Sequence, residues 1–195
     1  MAKIPLSFYE HHDVVQLSRD LIGKYLFTCL EPENVVTGGM IIETEAYRGV
    51  DDRASHAYNN RRTPRTEVMF SKGGVAYIYF CYGIHHLFNV VTNKEGVPHA
   101  VLIRAIQPEV GIDVMVKRRG KKSAIPTLTS GPGSVCQALG MTRKQTGISL
   151  TSDAIWLEDR GVLIPDDQIQ VTPRIGVDYA KEDAFKPWRF VLSKL

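Results

Sequence analysis

After Asp13 the apolar positions Val14, Val15, Leu17, Leu21 and Ile22 recur at helical spacing. Asp13 stands as an N-cap and Gly23 lies just beyond the run, so the pattern predicts a helix over residues 14–22. The period then changes. Tyr25–Leu30 and Val35–Tyr47 are rich in β-branched and aromatic residues and read as strands, with a bend or bulge at Thr37-Gly38-Gly39. Residues 48–74 hold no period and many polar side chains; irregular stretches of that length inside a domain are uncommon and tend to carry function. Residues 75–80 read as a strand, and residues 87–92 and 99–106 as a hairpin joined through Asn93-Lys94-Glu95-Gly96. A short helix is predicted over residues 109–118. Another follows Ser130-Gly131-Pro132-Gly133-Ser134, over residues 135–139, with Gly140 as its stop. The tail alternates turns with short strands at residues 155–157, 161–164, 168–172 and 189–192. No repeat or linker interrupts this order. Residues 1–195 are therefore expected to form one α+β domain, a largely antiparallel, curved sheet with helices packed around it.

Composition narrows the class without naming a function. With 195 residues, 44% of them hydrophobic, the chain can bury one ordinary core and is neither disordered nor collagen-like. No apolar run approaches the roughly 18 residues of a membrane span, and the start MAKIPLSFYEHHD lacks the basic-then-apolar design of a signal peptide. Cys29, Cys81 and Cys136 are odd in number and widely spaced, which indicates neither a disulfide framework nor a zinc site. A soluble, cytoplasmic protein is expected. The net charge of +3 is unevenly placed: Arg61, Arg62 and Arg65 form one basic cluster, and Lys117, Arg118, Arg119, Lys121 and Lys122 a second. Either can be a solvated surface or a phosphate-binding face.

Two segments carry candidate chemistry. Period-2 alternation along Ile41-Ile42-Glu43-Thr44-Glu45-Ala46-Tyr47 puts Glu43, Glu45 and Tyr47 on one strand face. Like charges side by side suit a solvated surface, or a partly buried general base that activates water. His56, in the irregular stretch, is placed to join them. The run Tyr77-Ile78-Tyr79-Phe80-Cys81-Tyr82-Gly83 has its aromatics on both faces, so they cannot all fill one core. Tyrosines with arginines near them suit stacking on bases, whereas packing alone is the plainer reading. The adjacent pairs His11-His12 and His85-His86 do not present two ligands on one helix face, and no nucleophile elbow, Walker A loop or dinucleotide fingerprint occurs. No metal or cofactor is expected. A non-catalytic nucleic-acid-binding domain and a hydrolase of free nucleosides are the alternatives. The first gives Glu45 no task, and the second leaves the basic clusters and Tyr82 unexplained.

In order along the chain, Glu43-Thr44-Glu45-Ala46-Tyr47, His56, Arg62-Thr63-Pro64-Arg65 with Met69-Phe70, Tyr77-Ile78-Tyr79 and Tyr82-Gly83 form a distinctive series. Asn89, Val101-Leu102-Ile103-Arg104-Ala105, Ser130-Gly131-Pro132 and Cys136-Gln137-Ala138-Leu139 complete it. The series resembles the alkyladenine (3-methyladenine) DNA glycosylase family from the first helix to the last strand. The resemblance implies a monofunctional glycosylase, without lyase activity, that flips alkylated or deaminated purines out of double-stranded DNA and hydrolyses them off. The substrates it implies are 3-methyladenine, 7-methylguanine, hypoxanthine and ethenoadenine. It implies Glu45 as the base that activates water for attack at C1′, Arg104 near the sugar and phosphate, and Tyr47, His56 and Tyr79 as pocket walls. Asn89 is implied to crowd the 2-amino group of normal guanine, and Tyr82 to be the wedge that fills the vacated stack. Arg61, Arg62, Arg65, Lys117, Arg118 and Arg119 are the candidates for the DNA backbone. Ile84 and His85 depart from the Met-Tyr pair of vertebrate members, and the loop over residues 93–99 is slightly longer. No membrane association is expected, and no long amphipathic helix or heptad offers an association surface, so a monomer is expected.

Overall fold

The computed structural model describes residues 2–193. Its frame is one antiparallel sheet, curled into a half-barrel, in the order β1 (Ala2–Lys3), β7 (Ile155–Asp159), β2 (Tyr25–Leu30), β3 (Val35–Tyr47), β6 (His99–Val110), β5 (His85–Thr92) and β4 (Ala76–Cys81). A short pair, β8 (Ile169–Thr172) and β9 (Arg189–Leu192), joins through β9 to β3. Among the described residues four α-helices complete it: α1 (Leu6–Tyr9), α2 (Val14–Asp20), α3 (Ile112–Arg118) and α4 (Pro132–Ala138). The expected α+β architecture with a curved antiparallel sheet is what forms.

The elements follow local chemistry. Asp13 caps α2 by accepting from Val15 N (2.9 Å) and Gln16 N (3.1 Å). Val14 and Leu17 of that helix enter the main core with Ile41, Ala46, Phe88, Val90, Val101 and Ile103 from one sheet face and Val135 and Ala138 from α4. The opposite face keeps a smaller cluster of Ala57, Met69, Phe70, Tyr77, Val91 and Ala100 under the irregular segment. That segment, residues 48–74, contains only short 3₁₀ turns, as its lack of period predicts.

Strand β3 is the hinge of the design. Its first half pairs with β2 and Glu43–Glu45 with β9, while β6 runs along its other edge from Gly38 to Tyr47. The register slips at three points. The slip between Gly38 and Gly39 fulfils the expected bulge, and a Cβ on Gly39 would lie 1.9 Å from the Gln107 carbonyl oxygen. The other two leave Ile42 unpaired on β3 and Arg104 unpaired on β6, beside Glu43. Extra residues of this kind bend a strand and re-aim a side chain.

Three expectations are corrected. Residues 109 and 110 continue β6, and the helix begins only after Gly111, whose φ of +70° turns the chain. Residues 161–164 form no strand; Val162 and Ile164 bury against neighbours without a ladder. The hairpin strand β5 starts at His85, two residues earlier than its apolar run.

Candidate active site

Sheet register assembles the site. Glu45 of β3 pairs with Leu102 of β6, Leu102 with Asn89 of β5, and Asn89 with Tyr77 of β4. Directly paired residues project to the same face, so one row across four strands brings together side chains up to 57 positions apart. Tyr47, opposite Ala100, and Tyr79, opposite Leu87, flank that row. All of these but Glu45 line a cavity of about 590 Å³, walled also by His56, Arg65 and Tyr179, with Arg104 aimed in from its bulge. That volume suits a purine-sized ligand.

Glu45 is wholly buried, immediately behind the lining formed by Tyr47, Arg104 and Ile175. Its Oε2 accepts from the Tyr47 hydroxyl (2.8 Å) and its Oε1 from Ile175 N–H (2.8 Å), with Arg104 Nη1 at 3.3 Å. The solvated-strand reading of this face therefore fails. Glu43 joins the same network, its Oε1 accepting from Arg104 Nε and Arg189 Nε, both at 2.7 Å. A carboxylate offers about four acceptor positions, so three partners leave Glu45 room for one more donor. Burial, and then the Glu45 charge, push the Tyr47 hydroxyl well above its ordinary pKa, so it stays a donor. Arg104 is held above its ordinary value despite burial, because the Glu45 and Glu43 carboxylates lie against it.

Opposite these groups, His56 Nδ1 lies 2.8 Å from the Tyr77 hydroxyl and its ring meets Tyr79 edge-on at 4.6 Å. Burial, then the Arg65 and Arg61 charges, lower its pKa to about 4, so the imidazole is neutral at neutral pH. Asn89 is buried and donates to the Tyr77 carbonyl (3.1 Å), which fixes its amide against the cavity wall. Tyr82 sits at the tip of the β4–β5 turn, 85% exposed. Its φ is +51° and that of Gly83 is +69°, two consecutive positive values of the kind a tight hairpin turn needs. Ile84, beside it, is also exposed.

The basic residues fall differently from expectation. Arg65, although exposed, reaches onto His56 Nε2 (3.1 Å) and over the Tyr79 ring (4.9 Å) at the cavity wall. Arg62 is tied to Glu67 by two hydrogen bonds of 2.8 and 2.6 Å and lies over Phe70. Arg118 is locked among Thr37 (3.1 Å), the Ala138 carbonyl (3.2 Å) and Glu33 (3.2 Å), and Arg119 bonds Gln137 (2.5 Å). Thr37 is eight residues along β3 from Glu45, roughly 25 Å at strand rise, so the second cluster stands far from the cavity. Arg61 and Lys117 are exposed, with no ion pair among the described residues. Arg143 and Lys144, which charge counting overlooked, are exposed in a turn packed on β4, near the hairpin. Among the described residues no group of three or more His, Cys, Asp or Glu is placed to hold a metal ion.

A sequence model of the Methylpurine-DNA glycosylase (MPG) family matches residues 7–194. The chain belongs to that family. It is 50% identical over 191 residues to a protein of Chlamydia felis (strain Fe/C-56), covering 97% of this chain and 96% of the relative. It is 48% identical over 187 residues to one of Chlamydia pneumoniae, covering 95% and 93%, and 44% identical over 198 residues to one of Bacillus cereus (strain G9842), again covering 95% and 93%. Each relative bears the name "Putative 3-methyladenine DNA glycosylase".

The site also uses residues that no local pattern marked. Arg174 is wholly buried and bonds Asp52, the Ala46 carbonyl (2.9 Å) and the Asp183 carbonyl (3.0 Å). Its guanidinium lies 4.9 Å from the Tyr47 ring centre, and the next residue supplies the Ile175 N–H to Glu45. Asp52 in turn accepts from Ala54 N (3.0 Å) and Arg48 N (3.2 Å), so one ion pair ties the irregular segment to the site. Tyr179, whose hydroxyl donates to the Ala54 carbonyl (3.2 Å), adds an aromatic edge to the cavity mouth.

Proposed function

We propose that this protein is a monofunctional DNA glycosylase that removes alkylated or deaminated purines from duplex DNA in base excision repair. The observation that carries the reading is Glu45, a fully buried carboxylate with three donors and one acceptor position left, set behind an aromatic cavity of purine size. The names of the relatives support the same activity.

A purine flipped into the cavity stacks on Tyr47 and Tyr79, with His56 beside it. Opening the duplex costs a few kcal/mol, least for a weakly paired base, and Tyr82 fills the gap left in the stack. Tyr82 is fitted to that task by its exposure and by a turn that holds the ring away from the sheet. Glu45 accepts a proton from a water, whose oxygen bonds to C1′ as the C1′–N9 bond breaks and the purine leaves with the bonding electrons. The carboxylate charge also favours the cationic sugar that develops on the way. Water reaches Glu45 between Tyr47, Arg104 and Ile175, its three partners, which hold its orientation. Arg104 offsets the charge of Glu43 and Glu45 and lies where the sugar and phosphate enter. Asn89, fixed by its bond to Tyr77, crowds a 2-amino group. Alkylation at N3 or N7 makes the purine a cation, which leaves readily and is attracted to tyrosine faces. Among the described residues no lysine lines the cavity, which supports water as the nucleophile at C1′.

The test is a duplex carrying one ethenoadenine, hypoxanthine or 7-methylguanine, incubated with protein and then cleaved with alkali. A cut only after alkali, lost in Glu45→Gln while lesion binding persists, is expected. Tight lesion-dependent binding with no cut by the wild type would replace this reading with a non-catalytic binding domain.

A further inference from the structure

We infer that Arg65 is a positioning residue that fixes the tautomer of His56 and so sets the hydrogen-bond polarity of the cavity wall. The inference deepens the glycosylase reading and rests on it for its catalytic consequence.

The argument is one of donors and acceptors. Arg65 Nη2 lies 3.1 Å from His56 Nε2, and His56 Nδ1 lies 2.8 Å from the Tyr77 hydroxyl. A guanidinium has five N–H donors and no acceptor, so Nε2 must offer a lone pair. In a neutral imidazole the proton then stands on Nδ1, which donates to the Tyr77 oxygen. With that oxygen accepting, the phenolic proton has no acceptor among the described residues and is available to a ligand of the cavity that Tyr77 lines.

The titratable groups facing the ring are Tyr77 and Tyr79 from β4 and Arg61 and Arg65 from the irregular segment. None of these is a carboxylate that would draw a second proton onto the imidazole, and the two arginine charges and burial oppose one. Arg65 is itself held on the Tyr79 face, 4.9 Å from the ring centre, so its reach to Nε2 is not that of a free surface side chain. Without Arg65 the opposite arrangement becomes available. Nε2 then carries the proton, the Tyr77 hydroxyl donates to Nδ1, and the cavity loses its phenolic donor. A bound purine that offers a lone pair at that edge would feel the change.

The test reads the tautomer directly. Nitrogen-15 NMR of the histidine-labelled protein at neutral pH is expected to show His56 protonated on Nδ1, and still so in Arg65→Lys, whose amine also only donates. Arg65→Met, which has no donor, should shift the proton partly or wholly to Nε2. Tyr77→Phe should leave it on Nδ1, because the constraint comes from Arg65. In single-turnover base release from a hypoxanthine duplex, Arg65→Met is expected to fall about tenfold, the worth of one hydrogen bond, with Arg65→Lys restoring most of the loss. An unchanged Nδ1 proton in Arg65→Met, or inversion in Tyr77→Phe alone, would overturn the assignment. A wild-type protein with no base release but with the expected tautomer pattern would instead overturn the glycosylase reading and leave the lock standing.

Discussion

The Asp52–Arg174 ion pair offers a quantitative test of how the site is held. Both side chains are fully excluded from solvent, and the guanidinium also satisfies the Ala46 and Asp183 carbonyls. Asp52→Asn keeps the size and one acceptor oxygen but leaves the Arg174 charge without its counter-ion. Removing one partner of a buried pair costs about 3–5 kcal/mol, mostly through the stranded charge. For a chain of this length each kcal/mol moves Tm by roughly 2–4 °C, so a loss of roughly 6–20 °C is expected. Urea unfolding should give a lower midpoint at unchanged m, since the surface exposed on unfolding is the same. Asp52→Leu combined with Arg174→Met removes both charges together and should recover much of the loss, because apolar replacement of a buried pair is often close to neutral. Base release should not recover with it, since the guanidinium no longer lies against Tyr47 or fixes the chain that brings Ile175 N–H to Glu45. A cost below about 1 kcal/mol for Asp52→Asn would refute the reasoning, for it would mean that water reaches the pair in solution.

Tyr82→Ala should leave stability unchanged, the ring being 85% exposed, yet weaken lesion-duplex binding by roughly 5- to 150-fold, the value of one stacked base; equal affinity would count against the wedge. His56 and His99 each have a pKa lowered to about 4, chiefly by burial, so the unfolded chain binds more protons than the folded one between about pH 6.5 and 4. Their stabilising contribution is complete above pH 6.5 and is lost as pH falls through that window, by roughly 3 kcal/mol for each histidine. Urea midpoints measured across the window should fall more steeply for wild type than for the double variant His56→Gln/His99→Gln, and parallel slopes would exclude buried neutral imidazoles.

Much of this was legible because strands repeat with period 2. Glu45, Tyr47 and Tyr79 can be read as face-sharing pairs from sequence, and register then aligns them with Asn89. Burial was not legible in the same way. The alternation of Glu43 and Glu45 fits a wet face as well as a dry one, and the deciding partners, Arg189 and Ile175, lie about 130 or more positions away. Asp52 and Arg174 are separated by 122 residues, and nothing around either announces the other. Residues 161–164 show the converse error. Val162 and Ile164 do report partial burial, since Ile164 packs where a Cβ on Gly23 would meet it at 2.8 Å, but burial does not require a ladder, and Leu163 between them is exposed. The pairing of the basic residues was not legible for a related reason. Sequence counts charge, whereas Arg65 and Arg118 had already been committed to His56 and to Thr37 and Glu33.

The charges around β3 bear on the proposed catalytic role of Glu45 as against a surface that only binds DNA. Glu43 and Glu45 on one strand face are balanced by Arg104 and Arg189, and the nearby Asp52 by Arg174, so three acidic and three basic groups share one low-exposure network. Excluding such groups from water costs several kcal/mol per ion before pairing offsets it. A domain that only bound a polyanion would gain nothing from this, since each carboxylate reduces the field that draws phosphates in. A hydrolase gains a negative charge held rigidly beside the carbon where positive charge develops, in surroundings where that interaction is stronger than in water. The bulge that leaves Arg104 unpaired beside Glu43 is the feature that makes the arrangement possible on a regular sheet. It turns a guanidinium toward both carboxylates at once, leaving Glu45 anchored by its protein partners with one acceptor position unfilled.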